Sequence, residues 1–468
     1  MSGCTRGFVT TVSAELIERE GVWDPRIFCG PVLSMLRLAD SWSLADRGAR
    51  VLEGQRAIPL EYGSEPVYRL SNLDELELRL EPQHCVSPRW SDKRCVRAGD
   101  IIIAKASPVR AAIAAPSVFR HPVDANCYLV RGLDLADSLW FALCVNQPAF
   151  GDYLVRKSGA AIVPRVRMDV LANAPLPRRP AGMEPLGFRM IDCLEDRLLS
   201  EVELSRFLAE VRANVAGHVP DSAQATVEPA VTWCRFFSPV DIGDSLVPGH
   251  VAVNGYQRHL QQDAGWSPIR RLLSERLSGG NRVTEAMRQI RTLQLSDVSD
   301  DLTVHRPEIR SWRTSSRRVF ADPVQENEVL LSALVTRPRV AFAGTKPKPE
   351  VFPTDHWHRL RFRETPGAWA LVLSDPAIHD QLSRLAIGTV QQFAPSWTIR
   401  KLVLPDIPLE IRIKWDAFLR RWQQRRLELE DQWRGLLTEA YRLLRETHRD
   451  CGPWTQPPAA IRGEEVLS

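Results

Sequence analysis

Residues 409–449 read LEIRIKWDAFLRRWQQRRLELEDQWRGLLTEAYRLLRETHR, with no proline and a single glycine, Gly435. Trp415, Trp422, Leu429, Leu436 and Leu443 recur every seven residues, and Phe418, Leu419, Trp433 and Ala440 widen the stripe. That periodicity predicts one long helix with a single apolar seam, about 60 Å in length at ~1.5 Å per residue. Arg425, Arg426 and Gln432 interrupt the stripe, which suits a seam of two or three helices better than a fully buried core helix. Taken alone, such a segment is most simply a terminal docking helix.

A second helix of the same kind lies in the middle of the chain, over Met183 to Val215, and it changes that reading. Ile191, Leu194, Leu198, Val202, Leu208, Val211 and Val215 give it an apolar side, less regular than the C-terminal one. Gly217-His-Val-Pro-Asp-Ser222 breaks it. Ahead of it, Glu65–Leu70, Ala98–Ala104 and Asn126–Val130 read as strands, and Leu135 to Val155 as a helix. A turn at Lys157-Ser-Gly-Ala160 and a proline-punctuated exit to Pro180 follow.

The second half repeats this order about 228 residues later. Glu328-Val-Leu-Leu-Ser-Ala333 parallels Asp100–Lys105, and His356–Leu360 parallels Tyr128 and its neighbours. Ala386–Thr389 parallels Lys157–Ala160, and Lys401–Pro408 parallels Asn173–Pro177. Upstream, WSPIRRLLSERL (266–277) resembles GPVLSMLRL (30–38) in pattern. Matched landmarks in one order and near one offset predict a mixed α/β domain followed by a long helix, twice. The expected boundaries are a lead-in (1–21), a first domain (22–180), a central helix (181–217) and a connector (218–258). A second domain (259–408), the C-terminal helix (409–449) and a tail (450–468) complete the chain.

Composition sets outer bounds. The 468 residues suffice for two or three domains with real cores, and 44% hydrophobic with 25% charged content is ordinary for a globular chain. A net charge of +4, from 61 basic and 57 acidic residues, permits nucleic-acid binding without arguing for it. The nine cysteines are scattered with no CxxC pair, and the spacing of His84-Cys85 and Cys95 fits no zinc pattern. No apolar run approaches a membrane span, and MSGCTRGFVTTVS lacks a signal-peptide core, so a cytoplasmic location is expected.

Catalytic motifs are missing where an enzyme on nucleic acid needs them. There is no Asn/Asp-Pro-Pro-Tyr/Phe tetrapeptide with a glycine-rich cofactor loop, and no GxxxxGK[ST]. Asp406, Glu410, Arg412 and Lys414 superficially suit a nuclease, but Asp406 sits where a helix begins and capping favours it. His356-Trp-His358 alternates along a strand, which favours solvent or phosphate over metal. No catalytic or metal-binding residue is therefore assigned.

Local charge is the positive signal. Arg156, Lys157, Arg165 and Arg167 fall within 12 positions without an acid. Arg310 to Arg318 includes Arg313, Arg317 and Arg318 with a tryptophan among them, and Arg337, Arg339, Lys346 and Lys348 form another acid-free stretch. Arg359, Arg361 and Arg363 alternate along an expected strand, which places them on one face suited to a phosphate backbone. Together with Arg110, these are the candidate DNA contacts; a solvated basic face is the alternative for each cluster.

The order of Ala98-Gly-Asp-Ile-Ile-Ile, the turn at Ser158-Gly159 and the Leu176-Pro177 exit resembles the DNA-specificity subunit of type I restriction-modification systems. The second copy matches through Glu328-Val-Leu-Leu, Ile387-Gly388, Val403-Leu-Pro405 and the tryptophan-rich helix. The resemblance covers residues 22–449, and its force lies in order and duplication, since each motif is individually weak. It implies an α+β fold with two target-recognition domains, separated and followed by long helices that pair as an antiparallel coiled coil. It implies double-stranded DNA and DNA methyltransferase subunits as partners, with endonuclease or ATPase subunits as further ones. No cofactor is expected in this chain; S-adenosylmethionine belongs to the methyltransferase. Trp415, Trp422, Arg426, Leu429, Trp433 and Leu436 become candidates for the helix seam or for subunit docking.

Two departures from the family pattern mark a divergent member, such as the recognition factor of a methylation-linked phage-defence system. Lys105-Ala-Ser-Pro-Val-Arg110 lacks the usual loop glycine, and Asn327-Glu328 stands where Gly-Asp is usual. Base-reading residues vary within this family, so none is carried over. The competing readings are a structural adaptor that reads no DNA and a free-standing nucleic-acid enzyme.

Overall fold

The computed structural model describes residues 41–55, 66–74, 76–78, 83–84, 94–118, 120–159, 165–218, 261, 265–274, 289–298, 302, 309–311, 319–320, 322–335, 338–348, 350–386 and 392–447. The chain divides into two units: Met1–Glu201 with Glu428–Ser468, and Val202–Leu427. No described helix is long and apolar enough to cross a membrane.

In the first unit the apolar, β-branched run Ile101–Ala104 (β6) is the centre of a six-stranded sheet, buried at every position. Before it come β1 (Arg50–Glu53), β2 (Pro66–Val67), β3 (Leu73–Asp74), β4 (Leu76–Leu78) and β5 (Gln83–His84), and after it β7 (Ala111–Ile113) and β8 (Cys127–Arg131). The sheet runs β1-β8-β6-β7-β4-β3, with β6 antiparallel to both neighbours. The expected strand at 65–70 is shorter than its sequence suggests. Arg69 N–H donates to Asn72 Oδ1 at 2.7 Å and turns residues 70–72 into a 3-10 helix.

Three helices follow the sheet: α1 (Leu135–Val145), α2 (Pro148–Lys157) and α3 (Met168–Ala172). The single helix expected over 135–155 is two, because Pro148 has no N–H to continue the ladder and occupies the first turn of a new helix. Asp134 caps α1 by accepting from Asp137 N–H at 2.7 Å.

The second unit repeats this plan. It contains β9 (Ser267–Pro268), α4 (Ile269–Leu272), β10 (Gln289–Leu293), β11 (Ile309–Ser311), β12 (Glu328–Ser332), β13 (Val340–Ala343), β14 (Val351–Pro353) and β15 (Trp357–Arg361). After these come α5 (Pro366–Leu373), α6 (Pro376–Leu385), α7 (Ser396–Ile399) and β16 (Val403–Leu404). The β15-β12-β13 sheet corresponds to β8-β6-β7, and α5 and α6 to α1 and α2, with Pro376 at the same place as Pro148.

The turn before the central strand shows the duplication atom by atom. Asp100 N–H donates to Arg97 O, and Arg97 N–H to Asp100 Oδ2. Glu328 N–H donates to Gln325 O, and Gln325 N–H to Glu328 Oε2. Gly99 (φ 77) and Asn327 (φ 65) hold the same left-handed position. Asn is among the few non-glycine residues that adopt it at modest cost, so the Asn327-Glu328 departure preserves the turn.

Each unit closes with a short antiparallel pairing. Ser267–Pro268 pairs with Val403–Leu404, and in the first unit Trp42 pairs with Leu176, exchanging N–H···O bonds of 3.0 and 2.7 Å. By that pairing Trp42, facing Leu176, takes the place of Ser267, facing Leu404; GPVLSMLRL lies outside the described residues.

The two long helices are an inserted central one, Met183–Gly217, and the C-terminal one, Leu409–Thr447. Their buried stripes match at a constant offset of 229: Leu186 with Trp415, Met190 with Leu419, Cys193 with Trp422, Arg197 with Arg426, Leu204 with Trp433 and Val211 with Ala440. In the first unit Arg189 pairs with Glu439 at 2.8 Å, and the Cys193 thiol lies 3.7 Å from Leu429 O. In the second, Phe207 stacks on Phe418 (centroids 3.6 Å) and Lys414 approaches Glu210 at 3.3 Å. Within each unit the residue numbers on the two helices run in opposite senses, so the helices pair antiparallel. The strict seven-residue repeat does not last to the end: Leu444 is buried and Leu443 only partly. A straight helix drifts ~20° per heptad against that repeat, which accounts for the shift.

Trp415, Trp422, Arg426, Leu429, Trp433 and Leu436 are all buried. Trp415 and Trp422 pack in the core of the second unit with Phe207 and Val211, and Trp433 and Leu436 in that of the first with Met190 and Leu194. Arg197 on the central helix reaches the sheet, its Nε and Nη2 donating to Glu77 at 2.8 and 2.6 Å. Both side chains are buried, and the carboxylate beside it raises the Arg197 pKa against the opposing effect of burial.

Candidate nucleic-acid interface

In the first unit, the segment after α2 returns to the end of β6. Val166 N–H donates to Lys105 O at 2.8 Å, Arg165 bridges Ala106, and Tyr128 on β8 donates its hydroxyl to Val166 O at 2.9 Å. Ser158, at the C-terminus of α2, accepts from Arg167 N–H at 2.9 Å and donates to Leu154 O at 2.6 Å. These bonds bring Arg165 and Arg167 beside Arg156 and Lys157. Arg110 joins them from the β6–β7 turn, where its carbonyl accepts from Ala104 N–H.

Arg110, Arg165 and Arg167 are exposed, and Arg156 and Lys157 are partly so. Two carboxylates temper the patch. Asp169 pairs with Arg167 at 2.5 Å, and Glu53 pairs with buried Lys105. The Lys105 hydrogen bond, followed by its charge, holds the Glu53 carboxyl below its usual range. Lys105 also lies 4.5 Å from the Tyr128 ring centre, a cation–π contact.

The second unit builds the same junction. Ala394 N–H donates to Ala333 O at 2.8 Å, Phe393 bridges Leu334, and His358 Nε2 lies 2.7 Å from Ala394 O. A carbonyl only accepts, so Nε2 carries the proton. His358 faces Leu331 as Tyr128 faces Ile103, and the two side chains do the same work. Burial lowers the His358 pKa, against the raising effect of that hydrogen bond.

The remaining basic candidates divide. Arg359 does not face outward: its Nε and Nη2 donate to Glu328 at 2.6 and 2.8 Å, and Nη1 and Nη2 to Asp322 O and Pro323 O. The row of three phosphate-facing arginines expected from alternation therefore loses its first member, because a buried carboxylate on the neighbouring strand demands a cation. Arg361 is part-exposed 3.7 Å from the same carboxylate, and Arg363 donates to Leu273 O. Arg339 occupies the position of Arg110, its carbonyl accepting from Ser332 N–H. Lys346 pairs with Glu350 at 2.8 Å, and Lys348 is exposed. Arg313, Arg317, Arg318 and Arg337 lie outside the described residues.

Two features escaped the sequence reading. The acid–arginine brace pairs residues 31 apart in both copies (Asp100 with Arg131, Glu328 with Arg359), a spacing that carries no local signature. The other is an acid-free run from Gln381 to Pro405, visible in the sequence, that carries Arg384, Trp397, Arg400 and Lys401.

No family model matches the chain, and no curated protein does. Among solved structures it is similar to the HsdS subunit from Thermoanaerobacter tengcongensis, at 15% identity and a TM-score of 0.24, covering 86% of this chain and 97% of that one. It is similar to a chain solved to explain complex assembly and conformational transition of the type I R-M system, at 15% identity and a TM-score of 0.25, covering 90% and 99%. It is similar also to the type I restriction-modification S subunit from M. genitalium, at 9% identity and a TM-score of 0.37, covering 88% and 96%.

Proposed function

We propose that the chain is a DNA-specificity subunit: a non-catalytic, sequence-specific reader of a bipartite target that directs DNA adenine methyltransferase subunits to it. The observation that carries this reading is the duplicated plan, in which the same α/β domain is built twice and each copy leads into a long helix of a matched pair. Two copies of one reader suit a target with two halves, and the antiparallel helices suit a spacer that sets the gap, as fixed separations do in other two-site DNA binders.

Arg110, Arg156, Lys157, Arg165 and Arg167 supply phosphate contacts in the first domain. Arg339, Arg361 and Lys348 are their candidates in the second, with Arg313, Arg317, Arg318, Arg337 and Lys346 as further ones. Such contacts set affinity and position, and base edges supply the sequence. Outer faces of the helix pair dock the methyltransferase subunits, which carry S-adenosylmethionine and flip out the target base; endonuclease or ATPase subunits are further partners. The organisation fits a methylation-linked defence system in the cytoplasm.

Salt titration of duplex binding by the full chain tests this. A DNA reader loses affinity linearly on a log–log plot, at about 0.9 per phosphate neutralised. The double substitution Arg165→Ala/Arg167→Ala should weaken binding and flatten that slope. A flat response from the unaltered chain favours an adaptor that reads no DNA.

A further inference from the structure

The two domains share a junction but not its chemistry. At an offset of 228, Lys105, Lys157, Arg165 and Arg167 of the first copy become Ala333, Leu385, Phe393 and Pro395 in the second, while Arg156 is kept as Arg384. The backbone correspondence is firm, since Val166 N–H to Lys105 O and Ala394 N–H to Ala333 O are the same bond, and the Ala106–Arg165 and Leu334–Phe393 bridges coincide. The short helices α3 and α7 begin at the same place, one residue after Arg167 and Pro395. What is a basic patch in the first domain is apolar in the second.

At the position of Asp169 stands Trp397, 46% exposed, with the Lys401 ammonium 5.5 Å from its ring centre. Tryptophan is normally well buried; here α7 carries it outward within the acid-free run that also holds Arg400. An exposed indole beside Lys401, in a stretch of sequence without an acid, is complementary to a nucleic acid. The ring offers an apolar face to bases or sugars, and the cations reach phosphates.

We propose that Trp397 is a base-contacting, specificity-determining residue of the second domain, flanked by phosphate contacts from Arg400 and Lys401. At this junction, then, the first domain offers phosphate contacts and the second adds an aromatic one. The assignment rests on the DNA-reading function proposed above.

The test uses the full chain and a duplex selected by it from a random-sequence pool. Trp397→Ala should bind that duplex about ten- to a hundredfold more weakly with the salt slope unchanged, since an apolar base contact releases no counterion. Reselection with this variant should lose sequence preference in one half of the motif only. Trp397→Arg, which keeps a large side chain at this exposed position, should lose the same half-motif while steepening the slope by about one phosphate's worth. Unchanged affinity and motif for both variants, while Arg165→Ala/Arg167→Ala still weakens binding, overturns the role of Trp397 and leaves DNA reading intact. Loss of methyltransferase association with DNA binding preserved overturns it in favour of a protein dock. Failure of the unaltered chain to retain any duplex removes the DNA reading itself.

Discussion

The guanidinium of Arg359 closes on the buried carboxylate of Glu328 in a two-pronged ion pair. Arg131 closes on Asp100 in the same way in the first domain, with its Nη2 also on Cys95 O. The match is of role and not of strict position: Arg131 is the next residue along from Val130, which faces Ile101, whereas Arg361 directly faces Glu328 and Arg359 lies diagonally. Each carboxylate also caps the turn that starts the central strand, so one side chain fixes a turn, a strand pair and a preceding loop.

Removing that carboxylate should be costly. Glu328→Ala leaves the Arg359 guanidinium, only 11% exposed, without its anion, and should destabilise the second domain by about 3–5 kcal/mol. Replacing both partners by apolar residues (Glu328→Leu with Arg359→Met) should recover most of the loss. Hydrogen exchange of peptides covering residues 328–361 reads the effect locally; equal exchange in all three proteins would show that the pair stabilises nothing.

The turn makes a second prediction. A Cβ built at Gly99 meets no atom within 4 Å, so only the left-handed backbone matters there. Gly99→Asn should therefore be nearly neutral, since Asn327 already holds this turn in the other copy, whereas Gly99→Val should cost about 1–2 kcal/mol. Denaturant melts that rank the two alike would mean the turns are not equivalent.

His358 should give the second domain a pH dependence on the acid side of neutrality, where the first domain carries Tyr128. Burial holds the native pKa below the usual value near 6.5. As pH falls below ~6.5 the unfolded state takes up the proton first, so the contribution is present above that value and is lost as pH falls. His358→Gln keeps an N–H for Ala394 O and does not titrate. It should flatten the loss of stability between about pH 7 and pH 5, and an unchanged pH profile would place the sensitivity elsewhere.

The proposed spacer role predicts a change in the proposed target itself. Seven residues added to each long helix, at Glu201 and at Leu427, preserve the seam and lengthen the pair by about 10 Å. At ~3.4 Å per base pair the gap between half-sites should grow by about three base pairs. Mapping of methylated bases in cells carrying the altered chain reads this directly, and an unaltered gap would reduce the helices to a dock.

The plan is legible in the residues alone: a strand-rich domain, a long helix, and both again. That information is local, carried by the apolar period of Trp415, Leu419 and Trp422 and by punctuation at Gly99 and Leu176-Pro177. Periodicity also identified the buried seam, because a helix presents residues three and four apart to the same neighbour. What it left open is how each arginine is used. Arg165, Arg167 and Arg359 look alike in sequence, yet Glu328, 31 positions away, holds Arg359 inside the sheet, while Arg165 stays exposed beside β6. Charge pairing depends on distance in space, and only strand pairing brings those groups together. The same holds at the long helices, where Arg197 is buried because Glu77 on β4 meets it. It holds too at Trp397, which only the matched junctions place where the first domain carries Asp169.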